Sequence, residues 1–458
     1  MALAALQHLC AATRARSPYF CSGKLVIPQL SLFFCSGSRG RLGVLDFPSN
    51  AVSMQVDALC AAGRPATFGC GGQSVLDPNY RDGLTLDYGN FALTEDINNP
   101  MLGVLPLVQN VFNGNALAAE SYHVNIYTPG GHFRAHRDTP TVNQIGSLVL
   151  SLPVDFSGGA IVVCGDAFKL GGNRSDLPGS LLSRFDGHGG EVDGAVTLPW
   201  CAFFGDCEHW VEPVTSGCRV TVTYRLLSSR KGHADGGLVT VPRTADLAAA
   251  LDGVREALAH PSFLPRGGQV AIPLQHGYPG IAWPSELRPW PTVDREMAAK
   301  AAAQMLKGSD SVLFESLEEL GLSPQVWAAV RFPDADKDDY DSEQEGEEES
   351  PLRVFALDPH RLPHVSQHQV NIDDEDDMEE LVKESGGKKL NVHCWVEPIL
   401  ETSGVSKVTD HVSKNNPASL AFAFHEHYGN EEGGIGSMYM SAIVVARILP
   451  WSSIENRR

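Results

Sequence analysis

Residues 127–138 read Tyr-Thr-Pro-Gly-Gly-His-Phe-Arg-Ala-His-Arg-Asp, and this stretch decides the fold of the 458-residue chain. The Pro-Gly-Gly step at 129–131 indicates a turn between the end of one strand and the start of another. In the second strand His136 and Asp138 are two residues apart, so both side chains point to one side of an extended backbone. The stretch therefore predicts two strands, the second of which presents an imidazole and a carboxylate together.

A second stretch, residues 200–225, supplies the partner strands. The run 200–204 is apolar and β-prone, and it leads directly to His209. From Arg219 to Arg225 polar and apolar residues alternate with period two, which places Arg219, Thr221, Thr223 and Arg225 on one face of a strand. If that face looks into a barrel it is a polar floor for an anion, and the planar fork of arginine suits a carboxylate.

The residue types His136, Asp138 and His209 predict an iron(II) site. Iron(II) accepts imidazole nitrogen and carboxylate oxygen, and two histidines with one carboxylate on one face of the ion leave three positions open. Two open positions suit a 2-oxo acid and the third suits dioxygen. This prediction requires His209 to lie on a distant strand that folds back beside the other two ligands.

A second His-x-Asp occurs as His233-Ala234-Asp235. Its neighbours are polar and rich in glycine, and no later histidine is followed by an arginine ten residues on. We interpret this copy as part of a linker.

With these motifs in place, the stretch from about Tyr19 to Leu227 resembles the catalytic domain of the prolyl 4-hydroxylase-like iron(II)/2-oxoglutarate dioxygenases. The resemblance is carried by Tyr127, Gly130, His136-x-Asp138, the Gly158-Gly159 turn and the segment from His209 to Arg219. Shorter phrases are similar to larger, uncharacterised proteins that contain this domain: 136–139, 204–209, 213–217 and 428–431. The family fold is a double-stranded β-helix, or jelly-roll.

The resemblance implies a role for each matching residue. His136, Asp138 and His209 correspond to the iron ligands of the catalytic centre. Arg219 corresponds to the residue that pairs the far carboxylate of 2-oxoglutarate, and Tyr127 to a tyrosine that hydrogen-bonds this cosubstrate.

Two further positions belong to the same cosubstrate site. Thr221 shares the face of Arg219 and can add a hydroxyl. Ser151 stands where some prolyl hydroxylases have a second tyrosine, so the second cosubstrate contact departs from the family pattern.

The implied reaction uses iron(II), 2-oxoglutarate and dioxygen, with ascorbate as reductant, and releases succinate and carbon dioxide. Hydroxylation of a C–H bond in a protein or peptide side chain, prolyl by family default, is the expected outcome. A non-catalytic sensor or scaffold that binds metal or 2-oxoglutarate remains an alternative. The presence of all three predicted ligands together with Arg219 argues against it, because a scaffold does not need all four. An AlkB-type nucleic-acid demethylase is a further alternative, because Arg219 and Arg225 resemble its paired arginines; the short spacing from His209 to Arg219 argues against it.

The predicted fold class is α+β, with a jelly-roll domain followed by a mixed α/β C-terminal domain. We expect an N-terminal helix in 1–18, the dioxygenase domain in 19–228, a helical part in 229–332, an acidic disordered segment in 333–350 and an α+β region in 351–458.

The residues before Leu45 include five basic side chains and no acid, as in a transit peptide. A native helix over Met1–Ala12 is the favoured interpretation of this end.

Individual helices are predicted from caps and periodicity. One spans Ser53–Ala62, with Ser53 as N-cap and Gly63 as its stop. Others are expected over 246–259, 294–306 and 309–320.

The net charge of −20 is mostly local. Residues 334–349 contain ten acids and one lysine, and residues 373–380 contain seven acids, which leaves −4 for the rest of the chain. Such runs are typical of solvated, disordered segments or of tails for a basic partner. Nucleic-acid binding gains no support, since phosphate affinity needs patches of lysine and arginine. No apolar run reaches the ~18–20 residues of a membrane span.

The ten cysteines contain no Cys-x-x-Cys pair. Zinc-ribbon and thioredoxin-like interpretations therefore fail. We expect free thiols in a reducing compartment, cytoplasmic or nuclear. A Cys207–Cys218 pair remains the alternative, and three C-terminal histidines (His393, His425 and His427) are interpreted as core or surface residues rather than as a second metal site.

Overall fold

A computed structural model describes the following residues: 2–14, 18–36, 41–70, 73–112, 117–139, 141, 144–165, 182–228, 245–279, 303, 306–332, 353–357, 388–389, 394–395, 439–440 and 442–456. The described part is mostly β-strand with few helices. Several sequence-based predictions lie outside it: residues 229–237 of the predicted 228–237 linker with its second His-x-Asp, most of the 294–306 helix, both acidic segments, the 428–431 phrase and the three C-terminal histidines.

The helices are α1 Ala2–Arg14, α2 Val52–Ala62, α3 Val104–Val111, α4 Ala245–Leu258 and α5 Gly308–Glu319, with 3-10 turns at Pro100–Leu102 and Trp451–Asn456. The strands of the N-terminal half are β1 Phe20–Ile27, β2 Leu30–Ser36, β3 Arg41–Phe47, β4 Arg64–Pro65, β5 Phe68–Cys70, β6 Gln73–Val75, β7 Arg81–Asp82, β8 Leu84–Asp87, β9 Phe91–Leu93, β10 Leu117–Tyr127, β11 His132–His136, β12 Gln144–Ser151, β13 Phe156–Gly158, β14 Ile161–Cys164, β15 Leu182–Phe185, β16 Gly190–Val192, β17 Ala195–Phe204, β18 His209–Val211, β19 Val214–Gly217 and β20 Arg219–Ser228. The remaining strands are β21 Gly268–Pro273, β22 Tyr278–Pro279, β23 Gln325–Phe332, β24 Arg353–Leu357, β25 Lys388–Lys389, β26 Cys394–Trp395, β27 Tyr439–Met440 and β28 Ala442–Ile448.

The described residues fall into two compact units. The first contains 18–228. The second contains α1 together with the described residues from 245 onwards, so the N-terminal helix belongs with the C-terminal elements.

The first unit is built on two antiparallel sheets. The larger has eight strands in the order β1-β17-β12-β20-β10-β8-β4, with β16 also paired to β17. The smaller has five strands in the order β15-β14-β18-β11-β7. The turn at 129–131 carries the chain from β10 in the larger sheet to β11 in the smaller one, and Gly130 has the positive φ of 90° that such a turn requires.

The core of this unit draws apolar side chains from both sheets. Leu148, Val220 and Phe204 from the larger sheet and Val163 and Phe133 from the smaller one belong to a single buried cluster. Strand β20 is buried over its first four residues. Two of these, Arg219 and Thr221, are polar, so this end of the strand brings polar side chains into the core.

Helix α2 begins one residue earlier than its sequence signals predict. Ala51 is the N-cap and no side chain caps the helix, so the predicted capping role of Ser53 is wrong. Burial of Val56 and Leu59 positions the helix, since packing outweighs a single cap of ~1 kcal/mol. Gly63 ends the helix, as predicted.

The second unit combines helices with a six-stranded mixed sheet, ordered β25-β24-β23-β28-β21-β26. Its core joins Leu6 and Leu9 of α1 to Leu251 of α4, Leu317 of α5 and Val444 of β28. Helices α4 and α5 lie within a residue or so of the predicted 246–259 and 309–320.

Eight cysteines have described side chains, and all are free thiols. The alternative Cys207–Cys218 pair is not formed. The sulfur of Cys218 lies instead 4.0 Å from that of Cys60. No helix among the described residues is long and apolar enough to cross a membrane.

Candidate metal centre

Three side chains from two adjacent strands converge on one point. His136 at the end of β11 and His209 at the start of β18 are directly opposite each other across the antiparallel pair. Asp138 follows β11 by two residues. One ligand atom from each of His136, Asp138 and His209 lies within 4.8 Å of the other two, and all three residues are buried. The second strand thus returns beside the first, as the sequence requires for a common site.

The hydrogen bonds of the two imidazoles orient their ligand atoms. His136 Nδ1 lies 2.8 Å from the carbonyl oxygen of Arg134, and His209 Nδ1 lies 3.0 Å from that of Cys207. A carbonyl oxygen only accepts, so each Nδ1 carries the proton and each Nε2 carries the lone pair. Backbone contacts of this kind are typical of metal-binding histidines, because they determine both the tautomer and the ring orientation.

Asp138 is held by the larger sheet. Ser147 Oγ on β12 donates to Asp138 Oδ2 at 2.6 Å. The backbone N–H of Asp138 donates to the Gly205 carbonyl at 3.0 Å. Asp138 Oδ1 then lies 3.7 Å from His209 Nε2, which is the spacing of two atoms that can share one ion.

Arg219 opens β20 and is 1% exposed. Its Nε and Nη2 have no hydrogen-bond partner among the described residues. Its Cζ lies 5.9 Å from the ring centroid of Tyr127 and 6.0 Å from that of Phe156. Burial lowers the pKa of the Arg219 guanidinium below its ordinary value, and Tyr127 and Cys201 offset only part of this effect. A buried donor without an acceptor costs about 1–3 kcal/mol, and more when it is charged, so this site favours an anion.

The other predicted cosubstrate residues surround Arg219 on the same face of the sheet. Tyr127 is the cross-strand partner of Arg219, and Ser151 is that of Thr221. All are buried, and Ser151 Oγ likewise has no partner within the described part of the chain. Two side chains that lack partners, an arginine and a hydroxyl, therefore lie on one buried polar face.

Gly159 makes room for the arginine. A Cβ atom on Gly159 would lie 2.9 Å from Arg219 Cδ and 2.8 Å from Val214 Cγ2. Gly159 also has a φ of 66°, in the left-handed region. The Gly158-Gly159 turn is thus explained by two requirements, its backbone conformation and the space taken by Arg219.

The first unit contains a cleft of about 500 Å³ whose lining includes Arg81 and Arg225 but none of the three predicted metal ligands. Arg81 lines it and also lies with Cζ 4.5 Å from the ring centroid of Phe133, which stacks on His136 at 3.6 Å between centroids. Arg225 lines it and is the cross-strand partner of Ser147, the residue bound to Asp138. The lining is polar: Arg64, Thr67, Ser74, Arg81, Thr85, Asp87, Tyr88, Glu120, Ser121, Tyr122, His123 and Arg225.

Sequence reasoning missed Ser147, Gly159's contact with Arg219, and Arg81. A signal for Ser147 exists, because the serines of Ser147-Leu-Val-Leu-Ser151 alternate with apolar residues on one face of a buried strand. No local pattern indicates Arg81, which donates to the Thr67 carbonyl and to Asn125 Oδ1.

No protein-family model matches the chain, and no curated protein matches it. Solved structures that match part of the chain include an oxidoreductase of the 2OG-Fe(II) oxygenase family from Burkholderia pseudomallei, at 16% identity over 40% of this chain and 81% of that one, with a TM-score of 0.23. A prolyl-4-hydroxylase from Pseudomonas putida has 14% identity over 48% of this chain and 99% of that one, with a TM-score of 0.25. A Trichoplax adhaerens prolyl hydroxylase, solved with a hypoxia inducible factor oxygen degradation domain peptide fragment, has 14% identity over 49% of this chain and 91% of that one, with a TM-score of 0.23. Similarity at this level carries no conclusion about activity, so the chemistry has to follow from the side chains themselves.

Proposed function

We propose that this protein is an iron(II)- and 2-oxoglutarate-dependent dioxygenase of the prolyl 4-hydroxylase-like class, with a double-stranded β-helix as its catalytic domain. The observation that carries this proposal is the pairing of two features in one unit. One is a buried cluster of two histidines and a carboxylate, and the other is a buried arginine whose Nε and Nη2 lack partners among the described residues. The two antiparallel sheets around them support the β-helix.

The donor set suits iron(II). Two neutral imidazoles and one carboxylate are the ligands of non-haem iron(II) oxygenases, and they leave positions for other ligands. In each neutral imidazole the backbone carbonyl that accepts from Nδ1–H leaves the Nε2 lone pair for a metal, and Ser147 donates to the carboxylate. His136, Asp138 and His209 would hold the ion.

The polar face on β20 suits a small dicarboxylate. Arg219 would pair the far carboxylate of 2-oxoglutarate, as its planar fork matches a carboxylate. Ser151, Thr221 and Tyr127 surround the same point and would supply neutral hydrogen bonds. A ligand with a single carboxylate could bind the metal or pair with Arg219, but it could not do both.

Iron(II), when bound with 2-oxoglutarate and dioxygen, supplies oxidative decarboxylation to succinate and carbon dioxide coupled to hydroxylation of a substrate C–H bond. The protein's own side chains and backbone would orient the cosubstrate and the metal ligands. Arg219 sets the direction of the cosubstrate, the backbone carbonyls orient both imidazoles, and the apolar rings of Phe133 and Phe203 pack beside His136 and His209 and exclude water.

The substrate that we propose is a protein or peptide side chain, with a prolyl residue as the first to test. The polar cleft of the first unit supports this choice, because its arginines, acids and hydroxyls offer many hydrogen bonds to a polar, extended molecule. Its Arg81 contacts Phe133, which stacks on His136, and its Arg225 is the cross-strand partner of Ser147. Ascorbate is proposed as the reductant that keeps the metal in its iron(II) state.

The test is turnover without added substrate. The purified full chain is incubated with iron(II), 2-oxoglutarate, ascorbate and oxygen, and succinate is measured. Wild type should form succinate slowly, His209→Ala should form none above background, and His132→Ala, a change to a histidine on β11 outside the cluster, should resemble wild type. If wild type binds iron and 2-oxoglutarate but forms no succinate, the sensor or scaffold alternative is favoured and the enzyme proposal fails.

Substrate class is tested next. Proline-containing peptides are incubated under the same conditions and searched for a gain of one oxygen atom by mass spectrometry. Stimulated succinate formation together with that gain would support the prolyl proposal, whereas stimulation by peptides without proline would redirect it to another side chain.

A further inference from the structure

Two thiols in the first unit face each other beside the strand that carries Arg219. Cys60 lies near the end of α2, and Cys218 immediately precedes β20. Their sulfur atoms are 4.0 Å apart although the residues are 158 positions apart in the chain. Both side chains are partly exposed, so a small solute can reach them.

The two thiols have opposite acid–base character. The hydrogen bond from Cys218 lowers the pKa of the Cys60 thiol to about 7, against the opposing effects of burial and of Asp57. The same hydrogen bond and burial raise the pKa of Cys218. Because the thiolate is the reactive form, Cys60 is the nucleophile of the pair and Cys218 stays protonated until it is needed.

We propose that Cys60 and Cys218 form a redox-modification site, which peroxides oxidise to a disulfide and dithiols reduce again. A disulfide needs its sulfurs at about 2.05 Å, so they must approach by about 2 Å. The proposal therefore requires rotation of the two side chains together with a small shift of the segment before β20.

The oxidation balances with hydrogen peroxide as the oxidant. The Cys60 thiolate attacks one peroxide oxygen; an S–O bond forms, the O–O bond breaks, and the departing hydroxide takes a proton to become water. Cys218 then attacks the Cys60 sulfur as its proton leaves; the S–S bond forms, the S–O bond breaks, and the second hydroxide becomes water with that proton. Two thiols lose two electrons, and one peroxide is reduced to two waters.

The position of the pair links it to the anion site, and this consequence rests on the proposed function. The backbone N–H of Cys218 donates to the Asp155 carbonyl at 3.0 Å, and a Cβ atom on Gly217 would lie 2.1 Å from that same oxygen. The segment 217–219 is therefore packed closely against β13 on one side. Because Cys218 is adjacent to Arg219 in the chain, we expect a disulfide that draws Cys218 toward Cys60 to shift the position from which Arg219 enters the core.

The first experiment tests the modification alone. The reduced full chain is treated with hydrogen peroxide, alkylated, digested without reductant and mapped by mass spectrometry. A cross-linked Cys60–Cys218 peptide should form, disappear after dithiothreitol, and be absent from both Cys60→Ser and Cys218→Ser. The matched control Cys21→Ser changes another partly buried cysteine, whose pKa burial raises to about 12, and should still form the cross-link. Oxidation of other cysteines with no Cys60–Cys218 peptide would overturn the proposal.

The second experiment tests the link to Arg219. Binding of 2-oxoglutarate to the manganese-loaded chain is measured before and after oxidation. Oxidation should weaken binding by about threefold or more, as expected when an anchoring group is displaced by a fraction of an ångström. Cys60→Ser should bind equally with and without peroxide. If the disulfide forms and affinity is unchanged, the link is overturned; if neither form binds 2-oxoglutarate, the proposed function fails while the modification site stands.

Discussion

Arg219 combines full burial with two guanidinium nitrogens that have no partner in the described part of the chain. An uncompensated charge of this kind is unfavourable in the folded protein alone, because water no longer solvates it. Strand β20 holds it in the core nonetheless, and Gly159 leaves space for it. At the scale of the residue, the protein therefore gives up stability to keep a cation ready for an anion.

Replacement of Arg219 by alanine should weaken 2-oxoglutarate binding by at least about a hundredfold. Breaking a buried ion pair costs ~3–5 kcal/mol, and ~1.4 kcal/mol corresponds to a factor of ten. Calorimetry on the manganese-loaded chain measures the change, and metal binding should be nearly intact. Tyr127→Phe should cost less, since one neutral hydrogen bond contributes ~0.5–1.5 kcal/mol.

Arg225→Ala is the matched arginine control. Arg225 shares the face of Arg219 but lies with Cζ 3.9 Å from the Tyr122 ring centroid and lines the cleft. It should leave 2-oxoglutarate affinity nearly unchanged, and a loss as large as that of Arg219→Ala would instead favour the demethylase alternative. Equal affinity of wild type and Arg219→Ala would refute the cosubstrate assignment.

Replacement of His136 by alanine should remove most bound iron without unfolding the unit. In the proposed site His136 would supply one of the three protein ligands found among the described residues. Metal content after gel filtration, with circular dichroism for folding, is the measurement, and His132→Ala should retain wild-type iron. If His136→Ala keeps its iron and His233→Ala loses it, the wrong His-x-Asp has been assigned.

At the scale of elements, the site depends on how strands and turns meet. The ligands lie on neighbouring strands of the smaller sheet, whereas Arg219, Ser151 and Tyr127 belong to the larger sheet. The turn at 158–159 lies against Arg219 and Val214. Small residues are needed there for steric reasons that the ligand pattern does not reveal.

Gly159→Ala should weaken 2-oxoglutarate binding while metal binding persists. The added Cβ would lie 2.9 Å from Arg219 Cδ, so the arginine must move. Gly194→Ala is the matched control, because Gly194 has a similar φ of 77° but nothing within 4 Å of a Cβ. Both variants should lose similar stability from backbone strain, ~1–3 kcal/mol. Affinity equal to that of Gly194→Ala would show that Arg219 tolerates the contact.

At the scale of the whole molecule, the described residues form two separate hydrophobic cores. Leu32 is fully buried in the core of the first unit, and Leu9 is fully buried in that of the second. The N-terminal helix is thus a structural part of the second unit in this structure, and its apolar face is used in packing against α4 and α5.

Leu9→Ala should destabilise the second unit by ~2–5 kcal/mol, the usual cost of a buried leucine-to-alanine change. Because the metal ligands lie in the first unit, metal and 2-oxoglutarate binding should stay close to wild type. Leu32→Ala is the matched variant in the first core, and it should lower the thermal stability of the ligand-bound state. Thermal unfolding with and without manganese and 2-oxoglutarate measures the stability of both variants. If Leu9→Ala lost ligand binding while Leu32→Ala kept it, the assignment of α1 to the second unit would be contradicted.

The sequence by itself predicted a metal site with an anion-binding arginine, and it predicted much of the local structure. Ligand type and period-two alternation identified His136, Asp138, His209 and Arg219, because these are local properties of a strand. The runs at β17 and β20 and the helices α4 and α5 followed from the same kind of signal. The start of α2 was predicted wrongly from the sequence, because packing rather than the nearby Ser53 decides where that helix begins.

Only the tertiary structure decided what meets across the chain. The pairing of β11 with β18, the Gly159–Arg219 contact and the Cys60–Cys218 pair each join residues far apart in sequence. The Ser147–Asp138 hydrogen bond joins residues nine positions apart, and it too depends on how the chain folds back. Such pairings follow from the register of whole sheets and from the burial of a common core, which no short window of sequence contains. The reactive groups could therefore be identified residue by residue, whereas their shared point in space required the fold.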